Sequence, residues 1–590
     1  MLQFLKFTLA TIVGIFLFFL IGFLSLTLLI PDDSVSIDDN SVLHLTLNQP
    51  ILERSVDNPF SELEIPISDG VYGIGLIELK ENILKAKEDK KIKGIFLELS
   101  SIMTGFAVME ELRDVLLDFK KSGKFIYAYS EAYSEGAYYL ASTADQIYLN
   151  PAGGMEFNGL SLEIQFFRKA LDKLSVKPIV FRVGDFKSAV EPYTLDKMSE
   201  ENRTQLNELI NSMYDHYLSQ VAKARKLNAK QLEQISDEMR IREPKNALEY
   251  KLVDKLAYYP EVESELKKKL KLKEKSKINF FGIEEYLKTE DKRSKSTSSN
   301  RIAVIVASGV IQSGNGDDAV IGSETIAREL RKARKDDKIK AIVLRINSPG
   351  GSALASDVMW KEIQLTKKEK PVIASMSDYA ASGGYYMAMG CNKIVAQPNT
   401  ITGSIGVFGI FFNVQDLFSD KLGITSDRVS TGKFPEIRSA LLDRELSDEE
   451  KEMLQSSTNK IYEDFTAKAA QGRKMSQDAI KKIASGRVWS GAQAKANGLI
   501  DEIGSLEDAI LLAAKEAKLK EDDYRVRYYP TQKSFYDKVF EAFSVKTDKN
   551  IPQAYLKQEL GPLYNYYLLL EKIKKTDYLQ MQMPFQIVIH

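Results

Sequence analysis

Two short segments in the second half of the chain hold residue types suited to acyl chemistry. Ile346-Asn347-Ser348-Pro349-Gly350-Gly351-Ser352 runs from an apolar strand into a two-glycine turn, and a helix is expected from about Ala353. Glycine lets the backbone turn sharply and brings bare N–H groups close to a reacting atom. The start of a helix adds unpaired donors and a dipole that favours negative charge. Such a corner can hold a carbonyl oxygen as charge develops on it, an effect worth about 3 kcal/mol per donor. Ala380-Ala381-Ser382-Gly383-Gly384-Tyr385-Tyr386 repeats the arrangement after another strand, now with a hydroxyl at the turn and an N–H at Gly383 open to a substrate. A serine at the head of a helix is ordinarily just its N-cap, and a strand-to-helix turn needs glycine whatever its role.

Comparison of the chain with itself lifts Ser382 above that reading. Leu97-Glu98-Leu99-Ser100-Ser101 answers Leu344-Arg345-Ile346-Asn347-Ser348, 247 positions on, and Ser130 to Tyr139 answers Ser377 to Tyr386 at the same spacing. Ala247 to Asp254 answers Ala494 to Asp501. A period this long marks a duplicated domain, not a solenoid of small units. The copies disagree where chemistry is at stake. Glu135 stands opposite Ser382, and Ile102-Met103-Thr104-Gly105 stands opposite Pro349-Gly350-Gly351-Ser352. Features lost together are expected to have served together.

A serine nucleophile needs a base. The three histidines are His44 and His216 in the first copy and His590 at the terminus, and no Gly-x-Ser-x-Gly elbow occurs. Lysine remains, as in Ser-Lys variants of the nucleophile–base scheme. In Val183-Gly184-Asp185-Phe186-Lys187-Ser188-Ala189 an apolar strand delivers Lys187 between Phe186 and Ala189; the second copy reads Ser430-Thr431-Gly432-Lys433-Phe434-Pro435. Aligning Gly184 with Gly432 sets Lys187 against Pro435, whereas a gap-free offset of 246 sets it against Lys433, so both lysines are candidates. An ordinary lysine near pKa ~10.4 is less than ~0.1 % neutral at pH 7. The base must therefore sit in an apolar place without a close carboxylate. Ser404, in Ile401-Thr402-Gly403-Ser404-Ile405-Gly406, is a candidate hydroxyl partner for the amine, or else a turn serine.

The elements that must hold these residues follow from hydrophobic pattern. Ile302–Val306, Ala341–Ile346 and Pro371–Ser375 are continuous apolar runs suited to strands buried on both faces, with helical patterns over Thr325–Lys335 and Asp357–Lys368 between them. The alternation predicts an α/β fold with mainly parallel sheets. At 590 residues the chain fits two domains plus appendages. Its 81 basic and 82 acidic side chains give no electrostatic footprint for a nucleic acid. One cysteine, Cys391, excludes an internal disulfide and a thiolate-rich metal site, and no cofactor is expected.

Phe7 to Ile30 is an uncharged run of 24 residues, roughly 36 Å as a helix, against a hydrocarbon core of about 30 Å. It follows Lys6, ends in Ile30-Pro31-Asp32-Asp33 and has no small-residue cleavage site. The expectation is a single-pass anchor in the lipid bilayer with a cytoplasmic tail, residues 1–6, and everything after Pro31 outside. The expected organisation is anchor 7–30, first repeat 43–266, charged linker 267–300, second repeat 301–523 and a Tyr-rich extension 524–590 without a legible motif.

Taken together, Asn347 to Gly351, Ala381 to Tyr385, Thr402 to Gly406 and Gly184 to Pro192 resemble the signal peptide peptidase A (protease IV) family, membrane-anchored serine proteases, in its long tandem-repeat form. The likeness implies two tandem Clp-protease/crotonase-like domains and a dyad split between them, with Ser382 as nucleophile and Lys187 as general base. It implies further that Ser404 positions the lysine and that the N–H groups of Gly383 and Gly351 (or Gly350) form the oxyanion hole. It implies a homo-oligomer, a tetramer, that degrades cleaved signal peptides and other apolar peptides at the outer face of the cytoplasmic membrane. The rival readings are a crotonase-like acyl-CoA enzyme, which needs neither Ser382 nor Lys187, and a catalytically inactive membrane scaffold.

Overall fold

The computed structural model describes residues 37–55, 73–289, 296–434, 441–520, 523–532 and 579–583, with isolated positions between 3 and 17. Most of the expected span 7–30 lies outside the described residues, and among those described no helix is long and apolar enough to cross a membrane.

Each repeat is built on its own sheet. In the first, the strands run Lys255–Leu256, Gln146–Met155, Phe125–Tyr133, Ile92–Glu98, Ser41–Leu45, Phe280–Gly282, every ladder parallel. In the second, the order is Val488–Ser490, Ile401–Gly403, Val372–Ala381, Ile339–Ser348, Arg301–Ser308, Arg525–Tyr529, parallel except where Ile401–Gly403 meets Val488–Ser490. The central strands are the apolar runs of the sequence, and Ile302 to Ile305 and Ala341 to Leu344 are wholly buried. Both sheets extend past the boundaries read from sequence. Phe280–Gly282 lies within the expected linker and Arg525–Tyr529 within the expected extension, yet each forms an edge strand. Three residues in Lys-rich surroundings, or five beside a polar turn, are too short to show a period, so composition hid them.

A third sheet joins the repeats. It runs Val320–Gly322, Val310–Gln312, Gly350–Ser352, Leu579–Gln582, Val407–Asn413, Leu441–Leu442, and Lys177–Val183 of the first repeat pairs antiparallel with Val407–Asn413 of the second. Val183 lies opposite Val407 and Lys177 opposite Asn413. This ladder carries the strand ahead of Lys187 into the second repeat.

A buried ionic cluster makes the other main junction. Arg345 replaces the Glu98 of the first copy and is fully buried. It donates to Glu53 Oε2 at 2.8 Å and Glu111 Oε1 at 2.7 Å, and to the hydroxyls of Ser375 and Ser377, each at 3.0 Å. Lys80 Nζ donates to the other oxygen of Glu111. Removing one partner of such a pair leaves buried charge uncompensated, at about 3–5 kcal/mol. Arg345→Ala is therefore expected to lower unfolding stability by about that amount, read as a fall in the urea midpoint at unchanged slope.

Candidate active site

Ser382 stands at the break between the strand Val372–Ala381 and the helix Gly383–Ala388. Its backbone lies at φ 55° and ψ −110°, a strained conformation for a residue with a Cβ, of the sort that clusters at functional sites. Neighbours on every side hold it there. Ala380 and Ala381 pair with Thr402 and Gly403, the Ser382 N–H donates to the Gly403 carbonyl at 2.8 Å, and its own carbonyl accepts from Tyr386 N–H at 2.8 Å. The strand bulges just upstream, where Ile346 faces Met376 but Ser348 already faces Ala380, and bulges re-aim the side chains that follow them. Ser382 occupies the N-cap position, yet its hydroxyl makes no capping bond.

That hydroxyl meets the lysine instead. After Lys177–Val183 the chain turns at Gly184, φ 109°, where any Cβ would lie 2.4 Å from Ser485. The Phe186 N–H donates to the Ser485 carbonyl at 3.0 Å. Lys187 then enters the second repeat past Gly486 and Gly406. A Cβ on Gly486 would stand 2.6 Å from both the Lys187 amide nitrogen and its Cβ, and one on Gly406 would stand 3.2 Å from Cδ. Lys187 Nζ lies 2.8 Å from Ser382 Oγ, 2.9 Å from Ser404 Oγ and 3.1 Å from the Ser404 carbonyl oxygen. Lys187, Ser382 and Ser404 are all 0 % exposed.

These contacts fit an uncharged amine. Its two N–H bonds can donate to the Ser404 hydroxyl and carbonyl, and its lone pair can accept the Ser382 proton. Burial pushes the Lys187 amine well below its ordinary range, and no carboxylate pulls it back. Ser404 is itself left-handed at φ 50°, its N–H donating to the Arg487 carbonyl at 2.7 Å. Gln205 locks the lysine turn to the second repeat. Its Nε2 donates to the Phe186 carbonyl at 3.1 Å and to Ser188 Oγ at 2.9 Å, and its Oε1 accepts from Val488 N–H at 3.2 Å.

The glycines border the same space. Gly350 N–H donates to Ser348 Oγ at 3.1 Å, so it is engaged inside its own turn. The Gly351 nitrogen lies 3.2 Å from where a Cβ on Gly383 would stand, which brings these two amides to one corner beside Ser382. Lys433, the rival lysine, lies elsewhere: it is exposed and paired with Glu449. His44 pairs with Glu98 and His216 with Glu110, while His590 lies outside the described residues.

The first copy keeps the scaffold of the site without the serine and the two-glycine turn. Tyr138 Oη donates to the Leu252 carbonyl just as Tyr385 Oη donates to that of Leu499, 247 positions on. Glu135, in the place of the serine, is buried and accepts from the N–H groups of Asn158 and Gly159 at 2.7 and 2.8 Å. Where the second copy has Ser352 capping Ala355 N–H, the first has Gly105, and the vacated position is taken by Asp378 from the second copy. Its carboxylate accepts from Gly105 N–H at 3.2 Å and Val108 N–H at 3.0 Å, while burial pushes its pKa up to about 6. A Cβ at Gly105 would lie 2.3 Å from the Asp378 Cγ. The decayed turn thus holds the bulge that leads to Ser382. Gly486, Gln205 and Asp378 had no signal in the sequence beyond the missing side chain at 105, because each works through a contact distant along the chain.

Peptidase family S49 matches the chain twice, over residues 118–273 and 364–520, once in each repeat. The chain is 38 % identical over 500 residues to Protease 4 of Salmonella typhi, covering 82 % of this chain and 79 % of that one. It is 37 % identical over 452 residues to the chloroplastic serine protease SPPA of Arabidopsis thaliana, covering 76 % and 66 %. Among solved structures, a mutant of the 1510-N membrane-bound stomatin-specific protease with a substrate peptide overlaps 41 % of this chain and 97 % of its own, at 18 % identity and TM-score 0.26. With the family domain present in both repeats, the chain belongs to peptidase family S49 in its tandem form, and it is a serine peptidase.

Gly486→Ala places a methyl group where the Lys187 backbone passes, at a φ of 82° that disfavours any Cβ. Displacing the amine should lower kcat/KM by about 100-fold in a protein that still folds. Stability should report the amine separately. Because the native pKa of Lys187 is depressed, the unfolded chain binds the extra proton between that value and ~10.4, and this site's contribution to stability falls as pH drops through the window. Lys187→Met is therefore expected to melt higher than wild type at pH 7, with the gap closing toward pH ~10.

Proposed function

We propose that this chain is a membrane-anchored endopeptidase that works through a Ser382–Lys187 dyad and degrades cleaved signal peptides and other apolar peptides outside the cytoplasmic membrane. The observation that carries the reading is the 2.8 Å approach of Lys187 Nζ to Ser382 Oγ, both side chains fully buried. In this mechanism the neutral amine takes the Ser382 proton as Oγ attacks the substrate carbonyl. Ser404 keeps the amine aimed. The N–H groups of Gly351 and Gly383 receive the oxyanion, each worth about 3 kcal/mol. The resulting ammonium gives its proton to the departing amine, and water then enters and repeats the cycle on the acyl-enzyme.

The anchor is supported by the uncharged run from Phe7 to Ile30 behind Lys6, the signal-peptide substrate and homo-oligomeric assembly by the likeness of the motifs to the signal peptide peptidase A family. A crotonase-like enzyme or an inert scaffold would use neither side chain.

Assay of the full chain on an apolar fluorogenic peptide is expected to show Ser382→Ala and Lys187→Ala each at least about 10³-fold down while still folded. Near-normal turnover in either variant would exclude the dyad. Wild-type kcat/KM should fall on the acid side as the amine takes up a proton, and Lys187→Arg, charged at every accessible pH, should be inactive throughout.

A further inference from the structure

The groove beside Ser382 already holds a strand of this chain. Leu579–Gln582 lies antiparallel between Gly350–Ser352, which carries the turn glycines, and Val407–Asn413, which pairs with the lysine strand. Gly350 faces Gln582, Gly351 faces Met581, and Gln580 lies opposite Ser352 on one side and Phe408 on the other. One residue further, Met583 N–H donates to the Pro349 carbonyl at 2.6 Å.

Its backbone is aimed at the reacting corner. The point where a Cβ on Gly350 would stand is 2.0 Å from the Met581 carbonyl oxygen and 2.9 Å from the Gly383 nitrogen. A main-chain carbonyl of the protein itself thus approaches the amides that border the Ser382 hydroxyl. Met581 and Met583, two positions apart and so on one face of an extended strand, are both buried. Met581 is 0 % exposed within the apolar core of the second repeat, and Met583 is 4 % exposed against that of the first.

A peptide substrate that binds by strand addition needs these same two edges, and each backbone N–H and C=O can be paired in this way only once. The segment and a substrate therefore exclude one another. We infer that Leu579–Met583 is an internal, substrate-like occupant of the peptide groove, so that this chain restrains its own peptidase activity until the strand is displaced. The inference rests on the reading of Ser382 and Lys187 as the peptidase dyad. A tethered segment competes at an effective concentration on the order of 1 mM. For a segment affinity of about 0.1 mM, its removal should raise kcat/KM about tenfold.

The test compares the full chain with a chain ending at Thr576 and with the full-length variant Met581→Asp, which puts a charge into the apolar pocket. All three are assayed on a short apolar fluorogenic peptide, and their folding is followed by circular dichroism. Both altered proteins are expected to show kcat/KM raised about tenfold, mainly through KM. A synthetic Leu-Gln-Met-Gln-Met peptide should inhibit the truncated chain competitively and the full chain more weakly. Unchanged or lower kcat/KM in a folded truncated chain, with no inhibition by the peptide, would overturn the inference and make the strand a structural support. If the truncated chain does not fold, Met581→Asp decides by the same criterion. Labelling of Ser382 by a small serine-directed phosphonate keeps the two ideas apart. Labelling without activation on truncation removes the occupant alone, whereas no labelling in any form removes the dyad on which it rests.

Discussion

A lysine amine held without water and without a counter-charge is the constraint from which the rest of this structure follows. Burial alone does not make a lysine neutral, as two side chains of this protein demonstrate. Lys80 is as deeply buried as Lys187, but Glu111 and Glu507 stand beside it and hold its proton more tightly than usual. Lys187 meets only hydroxyls and a carbonyl, and desolvation drives it the other way. The difference lies in the company each amine keeps. Gly406 and Gly486 make room for an alkyl chain that carries no ion-pair partner, and Gln205 keeps its turn from drifting toward solvent.

Such a site is costly to fold, and duplication supplies the means of holding it. The lysine and the serine come from different copies, so neither repeat builds the site alone. The first copy contributes a strand to the edge of the second at Lys177–Val183, and it takes Asp378 of the second into the turn that lost its own serine. Arg345 with Glu53 and Glu111 adds a buried charged junction. Where the first copy lacks the serine of the turn, a contact from the second copy, Asp378, stands in its place. Asp378 illustrates this most directly: it lies four positions before Ser382, on the bulge that leads to it.

Much of this was legible from residue pattern. Apolar runs marked the central strands, and the 247-residue period paired the two sheets. The simultaneous loss of a serine and a glycine turn in one copy singled out Ser382. The choice between Lys187 and Lys433 was not legible from spacing, because one gap in the alignment reverses it; the exposed Lys433–Glu449 pair distinguishes the two at once. The edge strands Phe280–Gly282 and Arg525–Tyr529, the place of Gly486 beside Lys187 and the strand Leu579–Gln582 were also illegible. Elements of three to five residues carry no period, and their partners lie hundreds of positions away.

By itself the sequence determined which side chains were candidates for the site, where the domain was copied and which runs had to be buried, since these depend on residue type and local periodicity. Only the tertiary structure decided that one lysine is buried without an ion-pair partner while another is paired, and that the Gly350 N–H is engaged inside its own turn. It alone showed that the protein's own strand lies between the two edges of the groove. Desolvation and backbone pairing are set by everything within a few ångströms, and in this chain those neighbours come from both repeats and from the far end of the polypeptide.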